Sequence, residues 1–83
     1  MLDRPEWWDW EIELSAHVET RMIDRGFSEV DLRAMIQDAT QVLPATEEGR
    51  WIVLSRLEAR PWKIIVEPFD RDRVIVVITA YPL

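Results

Sequence analysis

Apolar and polar residues follow two different spacings along this chain, and the spacing changes from segment to segment. Residues 10–14, Trp-Glu-Ile-Glu-Leu, alternate apolar and acidic side chains, as a half-buried strand does. Between residues 29 and 39 the apolar positions instead form one helical stripe, made by Leu32, Met35, Ile36 and Ala39. Such a stripe is typical of a helix that lies on a sheet.

Helix boundaries are marked by capping residues in the segment from Ser15 to Asp31. Ser15 occupies an N-cap position, and Gly26 can adopt the left-handed conformation that closes a helix. Ser28 then begins a second helix, with Asp31 three residues later as an acidic variant of the capping box. The sequence therefore predicts two consecutive helices, over about residues 16–25 and 29–38.

The second half of the chain is predicted to form strands. Thr40–Ala45 is predicted as a short edge strand, because Pro44 cannot serve in a central ladder. Residues 50–57, 62–68 and 73–81 are predicted as three further strands, separated by turns at 59–61 and 70–72. In the last of them, residues 74–78 are apolar at every position, which indicates a strand buried on both faces inside the sheet.

These elements define an α+β fold in the order β-α-α-β-β-β-β, with two helices packed on one face of an antiparallel sheet. Residues 10–83 are predicted as a single domain. Residues 1–9 are either a tryptophan-rich arm or a short helical turn that starts at Asp3 and Pro5. At least two of Trp7, Trp8 and Trp10 are expected to fold back onto the domain. The alternative is a partner-binding surface, since tryptophan is a favoured interface anchor.

Composition narrows the classes of protein that this chain can belong to. The 83 residues are 48% hydrophobic and 31% charged, which indicates one small globular domain. The absence of cysteine and of a membrane-length apolar run agrees with a cytoplasmic protein. With a single histidine, a structural zinc site is not expected, and no cofactor is predicted. The net charge of −6 disfavours strong non-specific binding to nucleic acids.

Candidate chemistry centres on the single histidine. His17 and Arg21 lie one turn apart on the first predicted helix, while Thr79 and Tyr81 share one face of the last strand. If that helix packs on the end of the strand, the four side chains converge, and they suit phosphoryl transfer on RNA. The alternatives are structural: Arg21 pairs with Asp24 or Glu19, and Thr79 and Tyr81 simply belong to a strand.

The segment His17–Ser28 reads HVETRMIDRGFS. It resembles the His-x-x-x-Arg-Met-x-x-Arg-Gly-(Ile/Phe)-Ser segment of a widespread bacterial family of unknown function, and residues 77–82 resemble that family's last strand. Such domains are similar in fold to the barnase/EndoU/colicin/RelE group of metal-independent ribonucleases, which includes toxins of toxin–antitoxin pairs. The resemblance implies His17, Arg21, Thr79 and Tyr81 as site residues.

Two functions from different classes remain open at this point. The first is a metal-independent endoribonuclease, a toxin held by an antitoxin, with Arg25, Arg50 and Lys63 as candidates for contact with RNA. RelE-like toxins are usually basic, whereas this chain is acidic. The second is a non-catalytic interaction domain of the same fold, which binds a protein partner or a second copy of itself through Trp7, Trp8 and Trp10.

Overall fold

The order of elements predicted from the sequence is confirmed by a computed structural model that describes residues 4–83. Asp3, one of the two residues predicted to start a helical turn, lies outside the described residues. The elements are a 3-10 turn Glu6–Asp9, β1 (Glu11–Leu14), α1 (Ala16–Arg25), α2 (Glu29–Gln37), β2 (Gln41–Pro44), β3 (Trp51–Leu57), β4 (Arg60–Phe69) and β5 (Val74–Pro82).

Both helices begin at the predicted N-caps, and α1 ends at the predicted glycine. The Ser15 hydroxyl accepts a hydrogen bond from the Val18 amide, and Gly26 adopts the left-handed conformation with φ of 67°. Ser28 and Asp31 form the complete capping box at the start of α2. Since these contacts involve neighbours in sequence, local chemistry was enough to place the helices. Among residues 4–83, no helix has the length and hydrophobicity needed to cross a membrane.

The five strands form one sheet in the order β1-β5-β4-β3-β2. As predicted, β2 with Pro44 lies at an edge, and β5 lies inside the sheet. The prediction that β5 is buried on both faces was wrong, because Val74 and Val76 are only half-buried on the face that lies opposite Ile75 and Val77. The prediction of a wholly antiparallel sheet needs one correction, because β1 pairs with β5 in parallel. No hairpin joins these two strands; α1 and α2 follow β1 and carry the chain away before it returns, so no local turn determines the direction of β1.

One face of the sheet carries the hydrophobic core. Val53, Ile64, Val66, Ile75 and Val77 are fully buried on this face, beneath both helices. Leu32, Met35 and Ile36 of the predicted stripe are buried against them, and Ser55 donates a 2.6 Å hydrogen bond to the Met35 carbonyl. The two helices therefore pack on the same face, as predicted.

The N-terminal tryptophans belong largely to this core. Trp7 and Trp8, in the 3-10 turn, are only 7% and 6% exposed, and the Trp7 ring also contacts that of Trp51 at 5.9 Å between centroids. Trp10 is half-buried. Residues 1–9 were predicted to form either an arm or a short helical turn. The described part of this segment, residues 4–9, contains a helical turn. A partner that bound the three tryptophans would therefore contact mainly Trp10, because the domain itself already buries the rings of Trp7 and Trp8.

The opposite face of the sheet, called the open face below, carries the alternate residues of each strand. Register places Leu43, Ile52, Ile65, Val76 and Thr79 on it. Leu43 and Phe69 are 38% and 42% exposed, and the other four residues of this set are partly exposed. The open face is therefore the surface on which side chains of the central strands can meet a ligand.

Candidate active site

A β-bulge in β5 decides which side chains face the candidate site. Val66 pairs with Val77 and Ile65 with Thr79, so Ile78 is an extra residue with no partner on β4. Strict alternation from the buried Val77 would have directed Thr79 and Tyr81 into the core. The bulge shifts the alternation by one residue, and Ala80 becomes buried while Thr79 and Tyr81 join the open face.

Ser15 ties this bulge to the start of α1. Its hydroxyl caps the helix at 3.1 Å from the Val18 amide and donates a 3.0 Å hydrogen bond to the Ile78 carbonyl. Its own amide donates to the Val77 carbonyl at 3.2 Å. One residue thus sets the position of His17, two residues further along the chain, relative to Thr79. The sequence identified the cap, but nothing in it pointed to the contact with β5.

Replacing Ser15 by alanine is expected to destabilise the fold by about 2 kcal/mol, because it removes an N-cap and the donor to Ile78. Urea denaturation measures this. The matched control is Ser28→Ala, which removes an N-cap that makes no contact with β5 and should cost about 1 kcal/mol. Only Ser15→Ala should shift the NMR signals of Thr79 and of the His17 ring. Equal shifts in both variants would contradict a special role for Ser15.

The sequence predicts that four side chains converge if the first helix packs on the end of the last strand, and of these the structure joins His17 and Thr79 by a hydrogen bond. Nε2 of His17 and Oγ1 of Thr79 are hydrogen-bonded at 3.2 Å, and His17 is exposed to solvent. Arg21 lies one turn further along α1, where its Nη1 atom forms a 3.2 Å ion pair with Asp24. Arg21 therefore also makes the ion pair with Asp24 that the sequence suggests as its alternative, structural role. Both partners are more than a third exposed, so the pair is weak and open to competition.

Tyr81 sits among cations at the end of β5. The Arg25 guanidinium carbon and the Lys63 ammonium each lie 5.9 Å from the centroid of the tyrosine ring. Arg25 also donates a 2.7 Å hydrogen bond to the Ala80 carbonyl, which holds the end of α1 against β5. Lys63 is the cross-strand neighbour of Tyr81. Two of the three predicted RNA contacts, Arg25 and Lys63, thus lie beside the predicted site residues.

Arg50, the third predicted RNA contact, lies elsewhere. It precedes β3 and forms a 3.1 Å ion pair with Glu67. Glu67 is four residues from Lys63 along β4, so the pair is roughly 13 Å away from Lys63. The structure therefore does not group Arg50 with the other cations.

Charge on the open face is divided between its two ends. Lys63 and Arg56 lie on this face near Tyr81, at the end that includes the His17–Thr79 contact. The acidic residues Glu11, Glu13 and Glu67 pair with Val74 or Val76 at the other end. The net charge of −6 is therefore unevenly distributed, and Arg25 and Lys63 place two cations beside the Tyr81 ring. Within residues 4–83, no three acidic, histidine or cysteine side chains are grouped to hold a metal ion.

Fold and site together define a small α+β domain with an exposed His–Thr contact at the bulged end of an interior strand. The chain belongs to the family described as a domain of unknown function, DUF4258, which matches residues 14–82. The match includes the helix–glycine–helix segment and the last strand, on which the sequence resemblance depended. The likeness to the ribonuclease fold group stays a prediction. Searches of curated proteins and of solved structures found no match.

Proposed function

We propose that this domain is a metal-independent endoribonuclease. The observation that carries the proposal is the contact between His17 Nε2 and Thr79 Oγ1 at 3.2 Å on an exposed surface with cationic neighbours. Imidazole is the side chain best suited to exchange a proton near neutral pH. RNA supplies its own nucleophile, the 2′-hydroxyl, and so needs from the protein a proton carrier and donors for the phosphate oxygens.

Roles for the surrounding residues follow from their positions. His17 takes the proton of the 2′-hydroxyl or donates one to the leaving 5′-oxygen, and Thr79 orients the ring through their hydrogen bond. Arg21, one turn along the helix, binds the phosphate and stabilises the charge that develops on its oxygens. Arg25 and Lys63 flank Tyr81 and attract the RNA backbone to this end of the sheet.

The Arg21–Asp24 ion pair gives this proposal a specific test. In the free protein, the Asp24 carboxylate forms an ion pair with the Arg21 guanidinium, so Asp24 and an RNA phosphate compete for the same group. Asp24→Asn should therefore strengthen binding of a non-cleavable RNA roughly threefold, since exposed ion pairs contribute at most about 1 kcal/mol. Fluorescence anisotropy at low salt measures the dissociation constant. Asp70→Asn removes the same charge from the β4–β5 turn, at the far end of the sheet, and should leave the constant nearly unchanged.

The decisive experiment is cleavage of a mixed RNA pool by the wild-type chain and by His17→Ala, with a chelator present. The proposal is supported if the wild-type chain cleaves RNA in the presence of the chelator and the His17→Ala chain does not. A toxin role would further require an antitoxin, which co-purification with the product of a neighbouring gene would reveal.

A non-catalytic interaction domain is the second candidate, and the open face favours it. Ile52, Ile65 and Val76 form an apolar centre there, with Leu43 and Phe69 exposed beside them. Exposed apolar patches of this kind mark interaction sites. Absence of RNA cleavage, together with a sedimenting mass above 9.9 kDa, would place this candidate ahead of the nuclease. That mass would also agree with the homodimer expected from the sequence.

A further inference from the structure

A second cleft opens close to the candidate site, and the roles given above leave it unused. It lies between the α1–α2 connection and the turn that joins β3 to β4, with a volume of about 220 Å³. That is below the range of pockets that hold drug-sized ligands, and it suits a single ring system. Six residues give it its chemistry: Arg25, Asp31, Leu57, Glu58, Arg60 and Trp62.

Charged groups of both signs surround an apolar floor in this cleft. Trp62 is 4% exposed and packs edge-on against Phe27 at 5.1 Å between centroids, so the floor is rigid. Asp31 uses its Oδ2 atom for the Ser28 amide. Glu58 and Arg60 form no side-chain hydrogen bond or ion pair with any residue between 4 and 83. Donors and acceptors are thus both available to a ligand.

The turn that positions Glu58 is conformationally unusual. Glu58 and Ala59 both have positive φ, at 52° and 67°, in a two-residue hairpin connection. Such turns favour Asn-Gly, because a side chain in the left-handed region costs roughly 1–2 kcal/mol per residue. The sequence had predicted the break at 59–61, whereas the turn lies at 58–59. The left-handed backbone at both positions is required by the two-residue connection itself, which holds Glu58 at the edge of the cleft.

Arg25 links the cleft to the candidate active site. Its side chain lines the cleft, and it also donates to the Ala80 carbonyl and lies against Tyr81. A strand whose phosphate reaches Arg25 and His17 therefore has the cleft within reach of a neighbouring base. A nucleobase has a flat apolar ring and an edge with both donors and acceptors. Carboxylates accept from its N–H groups, and guanidinium groups donate to its oxygen or ring nitrogen atoms.

We propose that this cleft binds one nucleobase of a single-stranded RNA, next to the bond that is cleaved. The inference rests on the proposed nuclease function and adds to it a substrate class, single-stranded RNA, and a source of sequence preference. In a duplex the base edges are paired, so an unpaired base is the form whose edge can enter the cleft.

Binding is tested by NMR on the full chain carrying His17→Ala, titrated with the four nucleoside 3′-monophosphates. At least one nucleotide should shift the amide signals of Gly26, Glu58 and Arg60 and the indole signal of Trp62. Ribose phosphate, which has no base, should not shift them. The proposal is overturned if no nucleotide shifts these signals more than ribose phosphate does.

Cleavage of the RNA pool separates this proposal from the nuclease proposal. Glu58→Gln and Arg60→Ala should change the preference among bases beside the cut roughly three- to tenfold, the effect of one hydrogen bond. Glu48→Gln, in the turn before β3, is the matched control and should not change it. Cleavage with unaltered preference overturns the subsite and leaves the nuclease intact. Nucleotide binding without any cleavage supports the cleft as a base site and overturns the nuclease.

Discussion

Replacing His17 by alanine is expected to lower RNA cleavage about 10²- to 10⁴-fold, the usual contribution of general acid–base catalysis. The free energy of unfolding should change by less than about 0.5 kcal/mol, because the side chain is exposed and its hydrogen bond is to Thr79. Initial rates on a defined single-stranded RNA measure the first effect, and urea denaturation measures the second.

Two further variants separate proton transfer from positioning. His17→Gln retains a hydrogen-bonding group near Thr79 but cannot exchange a proton, so it should be as inactive as the alanine variant. Arg21→Ala should weaken both binding and rate, and Arg21→Lys should restore them only in part, since the planar fork of arginine is lost. Equal cleavage by wild type and His17→Ala, or none by either, would refute the nuclease assignment.

Replacing Trp7 by alanine is expected to destabilise the fold by about 3–5 kcal/mol, as for other large-to-small changes of buried aromatic residues. Trp7 is 7% exposed and contacts the rings of Trp8 and Trp51 at 5.6 and 5.9 Å between centroids. Small domains have a total stability of about 5–15 kcal/mol, so this one change removes much of it. Urea denaturation followed by circular dichroism gives the measurement.

Trp10→Ala is the matched comparison for this prediction. Trp10 is half-buried, with the Arg73 guanidinium 6.0 Å from its ring, and its replacement should cost clearly less than that of Trp7. If both variants lose the same small amount of stability, then the N-terminal turn does not pack on the domain in solution. The tryptophans would then again be available for the partner surface that the sequence suggested.

Local chemistry in the sequence was sufficient to determine both helices and the order of the elements. Ser15, Gly26, Ser28 and Asp31 act on backbone groups within four residues of themselves, so a helix boundary can be identified without knowledge of the fold. Strand positions followed for a related reason. An unbroken apolar run in β5 indicates a strand inside the sheet. A proline is weaker evidence for an edge: Pro44 lies in the edge strand β2, but Pro61 and Pro68 lie near the ends of the central strand β4.

Only part of the candidate site could be predicted from the sequence. The features that were not predicted depend on contacts between residues that are distant in sequence. His17 and Thr79 are 62 residues apart, and the prediction that they meet was conditional on the packing of α1. Arg50 was grouped with the RNA contacts because its charge suited them, but its pairing with Glu67 depends on the register of β3 and β4. A cation's role is set by its neighbours, which spacing along the chain does not reveal.

Sequence by itself thus determined the elements and their order, and it named His17 and Thr79 as candidates for a common site. Only the tertiary structure decided the parallel pairing of β1 and the bulge at Ile78, whereas the burial of Trp7 and Trp8 agrees with the expectation that at least two of the three tryptophans fold back. The bulge matters most for the proposed site, because it turns Thr79 and Tyr81 out of the core. A bulge depends on hydrogen bonds from two other segments, here Ser15 and β4, and no pattern within β5 records them.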